Sequence, residues 1–508
     1  MSRQSTSRRF PPVPTMAGLK MPDDLAEPGL LVGWSMEQEH ARQPIGFNFG
    51  DPVRTPANGF TDPILMHREG HLITIAPTGA GKGVGCIIPA LLRHEGPVIV
   101  VDPKGENASV TARRRREMGD HVIILDPMGL TGETSGSLNP LDLVDPESAT
   151  GVDDAAALVG TLLPHDEVDN RNKYWRSRAE QLLTALVLHV ATDLPPGERR
   201  LAKLREAVNA MASDPEGWSI GLQGSRHPEV RALHSSLSIG ARETLGGIIS
   251  FAQDGVDFIR GPLVQAVTDR SSFPLDAVTR GDPMSIFIVL PPHMLTSHGR
   301  LLRLWIGALL AAIMRRRSRT ARPTLFILDE AAQLGELSEL RQAITLLRGY
   351  GLQTWSFWQD VSQIKQLYRV DWETMINNCS VIQAFGAYNM NAAESMADLM
   401  GFVSGPKMLE LDANEMLLQI AGDEAVIARR PDYRADPVFK GLFDANPLFD
   451  ATRRPLPESR VLREYLRPER TVAPLRAPQE GSPLPPAPGP RNAVDEVIAK
   501  EMLHAANC

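Results

Sequence analysis

The sequence predicts an α/β fold in which a largely parallel central sheet is interrupted by an all-helical segment. Three observations predict it. Apolar strand-like runs alternate with helical stretches from residue 71 to 127, strand signals vanish between about 142 and 265, and they resume from 284 to 387.

Residues 1–28 are polar, basic and proline-rich, and are expected to form a disordered leading segment. The first core strand is predicted at "HLITIA" (71–76), which runs into a glycine-rich loop and then the helix-like "GVGCIIPALLRH". "PVIVVD" (97–102) and "HVIILDP" (121–127) read as buried strands on either side of the helical "ENASVTARRRREMG", an alternation that implies parallel pairing. Residues 29–141 are therefore expected to be the first part of an α/β domain. From 142 to 265, apolar residues recur every three or four positions in "YWRSRAEQLLTALVLHVATDL" and "LAKLREAVNAMA", which predicts an all-α domain. "MSIFIVLPP", "PTLFILDEA", "LQTWSFWQD" and "CSVIQAFGA" restore strand signals, so 266–445 is expected to complete the sheet. Residues 446–508 read as a proline-rich tail with a short amphipathic terminal helix.

With 508 residues the chain is long enough for several domains, and its net charge of −8 excludes a uniformly basic nucleic-acid coat. Any nucleic-acid contact must be local. Cys86, Cys379 and Cys508 lie far apart, which excludes a C-x-x-C metal or redox site and fits a reducing compartment. The most apolar runs, "LWIGALLAAIM" and "LLTALVLHVA", are shorter than the roughly 20 residues a bilayer requires. No secretory signal opens the chain, so a cytoplasmic location is expected.

The chemistry concentrates in "ITIAPTGAGKGVG". Strand, glycine loop, lysine and helix are the parts of a phosphate cradle, although Ala76 replaces the first glycine of G-x-x-x-x-G-K-[ST] and Gly83 replaces the hydroxyl residue. Pro77, Thr78, Gly79, Ala80, Gly81, Lys82, Gly83 and Val84 are the expected nucleotide-binding residues, with Lys82 reaching the terminal phosphates. In "LFILDEAAQLG" an apolar strand leads into Asp329 and Glu330. Asp329 can hold Mg²⁺ through water, and Glu330 can polarise the attacking water. An acidic helix cap is the plainer reading of that pair. The absence of a hydroxyl residue at position 83 implies weaker metal binding than in ordinary phosphate-loop enzymes.

Three other patterns are weighed and set aside. "GWSIG" (217–221) matches G-x-S-x-G but follows a polar loop, and "HREGH" (67–71) spaces two histidines without a helix. The run "RRRR" (113–116) is either a solvated helix face or a contact for DNA phosphates.

Together, "ITIAPTGAGKGVG", "VIVVDPKGEN", "LNPLD", "LFILDEAAQLG", "LRGYGL" and "WQDVSQIKQLY" occur in the order seen in the type IV secretion coupling proteins, the TraG/TraD-type conjugative ATPases, and the chain resembles that family over about residues 29–440. The resemblance implies a RecA-like P-loop NTPase domain interrupted by an all-α domain, using ATP and Mg²⁺. It also implies a homo-hexamer that couples single- or double-stranded DNA, a relaxase or another secreted protein to type IV secretion channel components. By position, Lys82 resembles the phosphate-binding lysine, Asp329 and Glu330 the metal-holding and water-activating pair, Gln359 the γ-phosphate sensor, and Arg348 the arginine finger. A solvated cation beside Gly349 is the plainer reading of Arg348. Asp102 and Lys104 of "DPKGE" match residues that lie near the family's nucleotide, and a structural turn is an equal alternative.

Family members usually begin with transmembrane helices, whereas the first family-like segment here, "GLLVGW", follows 28 residues without one. The expectation is a protein without its anchor, cytoplasmic or peripheral at the inner face of the cytoplasmic membrane, and monomeric until assembly is triggered. Two rivals stand beside the coupling reading: a soluble DNA-pumping ATPase of the chromosome-partition type, and a nucleotide-gated recruitment adaptor with little turnover.

Overall fold

The computed structural model describes residues 21–35, 62–67, 69–163, 172–237, 242–402, 405–420 and 422–448. The proline-rich tail and its terminal helix lie outside these residues from 449 onward, as do residues 1–20 of the leading segment.

Each predicted core strand forms: β3 (His71–Ile75), β4 (Val98–Val101), β5 (His121–Leu125), β6 (Met284–Ile288), β7 (Thr324–Leu328), β8 (Leu352–Trp358) and β9 (Cys379–Ala384). Four further strands were not anticipated: β1 (Leu30–Ser35), β2 (Pro63–Met66), β10 (Glu415–Ile420) and β11 (Val426–Arg429). The eleven strands make one sheet in the order β2-β1-β11-β10-β9-β3-β8-β7-β4-β6-β5. From β9 to β5 the pairing is parallel, and from β2 to β9 it is antiparallel. The parallel strands are apolar because helices cover both faces. Alternate residues of β3 show this, with Ile73 and Ile75 packing into one core and Leu72 into another.

A helix opens with a wide first turn at Gly83–Ile87 and continues as α1 (Ile88–Arg93), and α2 (Glu106–Glu117) follows β4. Ile87, Ala90, Leu91, Ala108 and Ala112 of these segments pack with Leu72, Val98 and Val100 on one face of the sheet. Between β5 and β6 the described chain holds no strand, only helices that include α3 (Gly151–Leu162) and α4 (Asn172–Asp193). On the sheet's other face, one continuous core joins Ile73, Ile99 and Phe326 to Leu158, Leu183 and Leu186 of these helices. The long apolar helix Pro292–Met314 crosses this core, with Leu301, Trp305 and Leu309 buried, which accounts for the run "LWIGALLAAIM". Among the described residues no helix is long and apolar enough to cross a membrane.

Candidate functional site

The carboxyl ends of the parallel strands share one edge of the sheet, where open α/β sheets place their ligands. A cleft of about 850 Å³ opens there, lined by residues 78–84, Asp102, Lys104, Asp329, Glu330 and Arg430 among others. The loop after β3 turns on Gly79 (φ 82°) and Gly81 (φ 89°), both in the left-handed region that a side chain disfavours. Gly83 is different: a Cβ there would meet nothing within 4 Å, so backbone space does not demand its glycine. Ala76 is fully buried, its N–H donates to the Trp358 carbonyl at 2.8 Å, and its carbonyl accepts from Lys82 Nζ at 3.1 Å. The substitution at the first glycine position thus serves as a packed strand end.

Lys82 is 7% exposed and also meets Glu330 Oε1 at 3.3 Å. The other carboxylate oxygen of Glu330 accepts from Gln359 Nε2 at 2.6 Å. The ends of β3, β7 and β8 therefore bring Lys82, Glu330 and Gln359 into one hydrogen-bonded set. Asp329 lies beside them on the cleft floor, where burial, and then the Glu330 carboxylate, push its carboxyl up to about 6. Val101 and Leu328 are register partners, so Asp102 and Asp329 leave adjacent strand ends. Burial pushes the Asp102 carboxyl up to about 7, against the hydrogen bond it accepts from the Ala108 N–H at 2.8 Å. The Ala108 bond caps the first turn of α2, Asp102 also accepts from Asn107 Nδ2 at 3.2 Å, and Lys104 lines the cleft. The "DPKGE" turn is both structural and part of the site. Two acids held toward neutrality on one floor are the donor set that a divalent cation would favour ionised.

The remaining expected residues lie elsewhere. Pro77 does not line the cleft, although its carbonyl accepts from the Ala80 N–H at 3.2 Å and helps shape the loop. Arg348 is exposed in a short helical turn that precedes β8, whereas Gln359 follows the far end of that strand. Seven residues at about 3.3 Å each put roughly 23 Å between those ends, so Arg348 cannot reach the cleft of its own chain.

The arginine run 113–116 is not a uniform basic strip, because one member is buried and the others sit in surface ion pairs. Arg115 is fully buried on Asp120, Arg113 is engaged by Asp444 and Glu117, Arg114 by Glu117, and Arg116 by Glu133. His71 is buried with its Nδ1 at 2.8 Å from the Thr354 hydroxyl, so it is taken up by the sheet, and no group of three or more His, Cys, Asp or Glu placed to hold a metal occurs among the described residues. Ser219 of "GWSIG" sits inside the helix Pro215–Leu222, without the strand-to-helix elbow a nucleophile needs.

Arg430 is the residue that sequence reasoning missed. It follows β11, yet its guanidinium reaches the phosphate-type loop and donates to the Ala80 carbonyl. Gly85 offers a local trace of it, because a Cβ at Gly85 would strike the Arg430 stem.

Comparison with known proteins gives the family and the fold. The family model described as Type IV secretory system Conjugative DNA transfer matches residues 35–403. Conjugal transfer protein TraG of Escherichia coli is 26% identical over 439 residues, covering 73% of this chain and 68% of the relative. The type IV secretion system-coupling protein VirD4 of Bartonella quintana is 25% identical over 360 residues, 68% of this chain and 56% of the relative. The plasmid coupling protein TrwB, solved with the non-hydrolysable ATP analogue ADPNP, superposes with a TM-score of 0.56 at 18% identity, covering 71% of this chain and 85% of that one. The same protein has also been solved with ADP and Mg²⁺, at a TM-score of 0.55 and 19% identity over 73% of this chain and 88% of that one. These superpositions show the RecA-type phosphate-loop fold.

Proposed function

Because the chain belongs to the Type IV secretory system Conjugative DNA transfer family, we propose that its cleft binds ATP with Mg²⁺ and hydrolyses it, and that hydrolysis drives a relaxase-DNA complex or another secreted protein into a type IV secretion channel. The observation that carries this reading is the Lys82–Glu330–Gln359 set at the carboxyl ends of three parallel strands. The loop fits a phosphate chain, because Gly79 and Gly81 leave room for its N–H groups to converge and a helix N-terminus follows.

The ion pair gives the residues a sequence of action. Without nucleotide, Lys82 holds Oε1 of Glu330 and the Ala76 carbonyl. A phosphate group claims the lysine, and Oε1 is then free to accept a proton from the attacking water. Gln359 keeps the other oxygen in place through its 2.6 Å hydrogen bond. Asp329 would hold Mg²⁺ through water, and the metal would supply charge neutralisation at the phosphates. Arg348, too far from its own cleft, would act in the site of a neighbouring copy, so a homo-hexamer assembled on DNA or a channel component would be the active form.

Glu330→Gln tests the reading. It keeps the hydrogen bond from Gln359 but removes the base, so ATP binding should persist while turnover falls on the order of 10²-fold or more. Turnover equal to wild type would refute the role of Glu330. Near-zero turnover in the wild type itself, unaffected by Lys82→Ala, would favour an adaptor instead.

A further inference from the structure

We propose that Arg430 is a second phosphate-binding cation of the cleft, supplied by the same chain and placed against the diphosphate portion of the nucleotide. The assignment rests on the nucleotide reading given above.

Four observations lead to it. Arg430 lines the cleft alongside residues 78–84. Of the five N–H groups a guanidinium carries, one is placed on the Ala80 carbonyl and one on the Ala413 carbonyl at 2.7 Å, and the others have no acceptor among the described residues. The side chain forms no ion pair among those residues, and Asp432, two positions on, is paired with Arg434 at 3.2 Å. The guanidinium also lies 4.5 Å from the centroid of the Phe385 ring, which fixes its plane while leaving donors available.

A half-buried guanidinium hydrogen-bonded only to carbonyls, with Asp432 acting on it from beyond ion-pair distance, lacks the direct counter-charge that burial normally requires. Burial accordingly holds its pKa below the ordinary arginine range. An anion arriving at residues 80–82 would supply that charge, and the planar fork suits phosphate oxygens better than a point charge does. The position is specific, because a Cβ on Gly81 would come to 3.2 Å from Nη2. Gly81 immediately precedes Lys82, the residue that reaches the β- and γ-phosphates in such loops. Arg430 is therefore placed at the level of the β-phosphate.

The test is competition of AMP, ADP and ATP against a fluorescent ADP on the full chain, for wild type, Arg430→Met, Arg430→Lys and Lys82→Ala, with melting temperatures taken without nucleotide. Arg430→Met keeps the stem beneath Gly85 but no charge. It should weaken ADP and ATP about tenfold or more, the worth of one charge-assisted hydrogen bond, and leave AMP unchanged. Arg430→Lys should recover part of the loss. Unchanged ADP and ATP affinities in Arg430→Met would overturn the assignment. So would an equal loss for all three nucleotides with a lowered melting temperature, which would make Arg430 a packing residue of the loop. Wild-type ADP binding by Lys82→Ala would instead sink the nucleotide reading of the cleft, and this assignment with it.

Discussion

Glu330 has φ 55°, and it is the one non-glycine residue with positive φ among the described residues. A left-handed glutamate costs about 1–3 kcal/mol, and such strain persists where surrounding contacts over-determine it. Here Lys82 and Gln359 hold the two carboxylate oxygens. Gly83 is the opposite case, a residue that backbone geometry does not require. Because a Cβ there meets nothing within 4 Å, Gly83→Thr should fold normally and restore the missing hydroxyl ligand. The Mg²⁺ concentration needed for half-maximal ATP hydrolysis should fall about tenfold, the low end of the changes that groups around a metal site produce. A magnesium titration with an unmoved half-saturation point would show that position 83 has no part in holding metal.

At the scale of elements, β3 is tied to its neighbours by a buried polar chain as well as by backbone pairing. Trp355 Nε1 donates to Thr74 Oγ1 at 2.8 Å, Thr74 donates to Gln383 Oε1 at 2.7 Å, and Gln383 donates to the Val32 carbonyl at 2.8 Å. The Cys86 thiol, on the helix that follows the loop, reaches the same Gln383 oxygen at 3.5 Å. Thr74→Val keeps the shape but leaves a donor on Trp355 without its acceptor and takes one donor from Gln383. A loss of about 1–3 kcal/mol is expected, read as a lower urea midpoint at unchanged slope. A midpoint equal to wild type would mean that the chain contributes nothing to stability. The parallel strands were legible in the sequence because runs such as "VIVV" and "IFI" are apolar throughout, as burial on both faces demands. β10 and β11 were not, since "EMLLQI" and "VIAR" are short and mixed, and only their pairing with β9 and β1 makes them strands. The loop, Asp329 and Glu330 could be read from local pattern, whereas Arg430 could not. Its contact with Ala80 spans 350 residues of chain and leaves only glycines of the loop and following helix, Gly81 and Gly85, as local marks.

On the scale of the whole molecule, the site of one chain is incomplete in the proposed reading. Arg348 stands at the opposite edge of the sheet, between exposed Leu346 (67%) and Tyr350 (39%). Its loop is held from behind by Arg316, whose guanidinium donates to the Tyr350 and Gly351 carbonyls and to Thr324 Oγ1. Burial lowers that arginine to about 10. Such an anchor holds Arg348 outward without supplying a partner for it. ATPase activity per chain should therefore rise steeply with protein concentration, and Arg348→Ala should lose that rise along with a rate factor on the order of 10³ or more. A wild-type rate per chain that is flat across concentration would exclude a residue supplied by a neighbour. The cleft has a further dependence, on the order in which the chain is made. Its wall includes Arg430, Tyr433, Phe443 and Asn446, all of which lie beyond Glu330 in the chain. The 446 − 82 = 364 residues separating Lys82 from Asn446 take on the order of half a minute to synthesise at about 5–20 residues per second. A nascent chain on the ribosome thus carries its phosphate loop well before it has these residues to enclose it, and the cleft is complete only once they emerge.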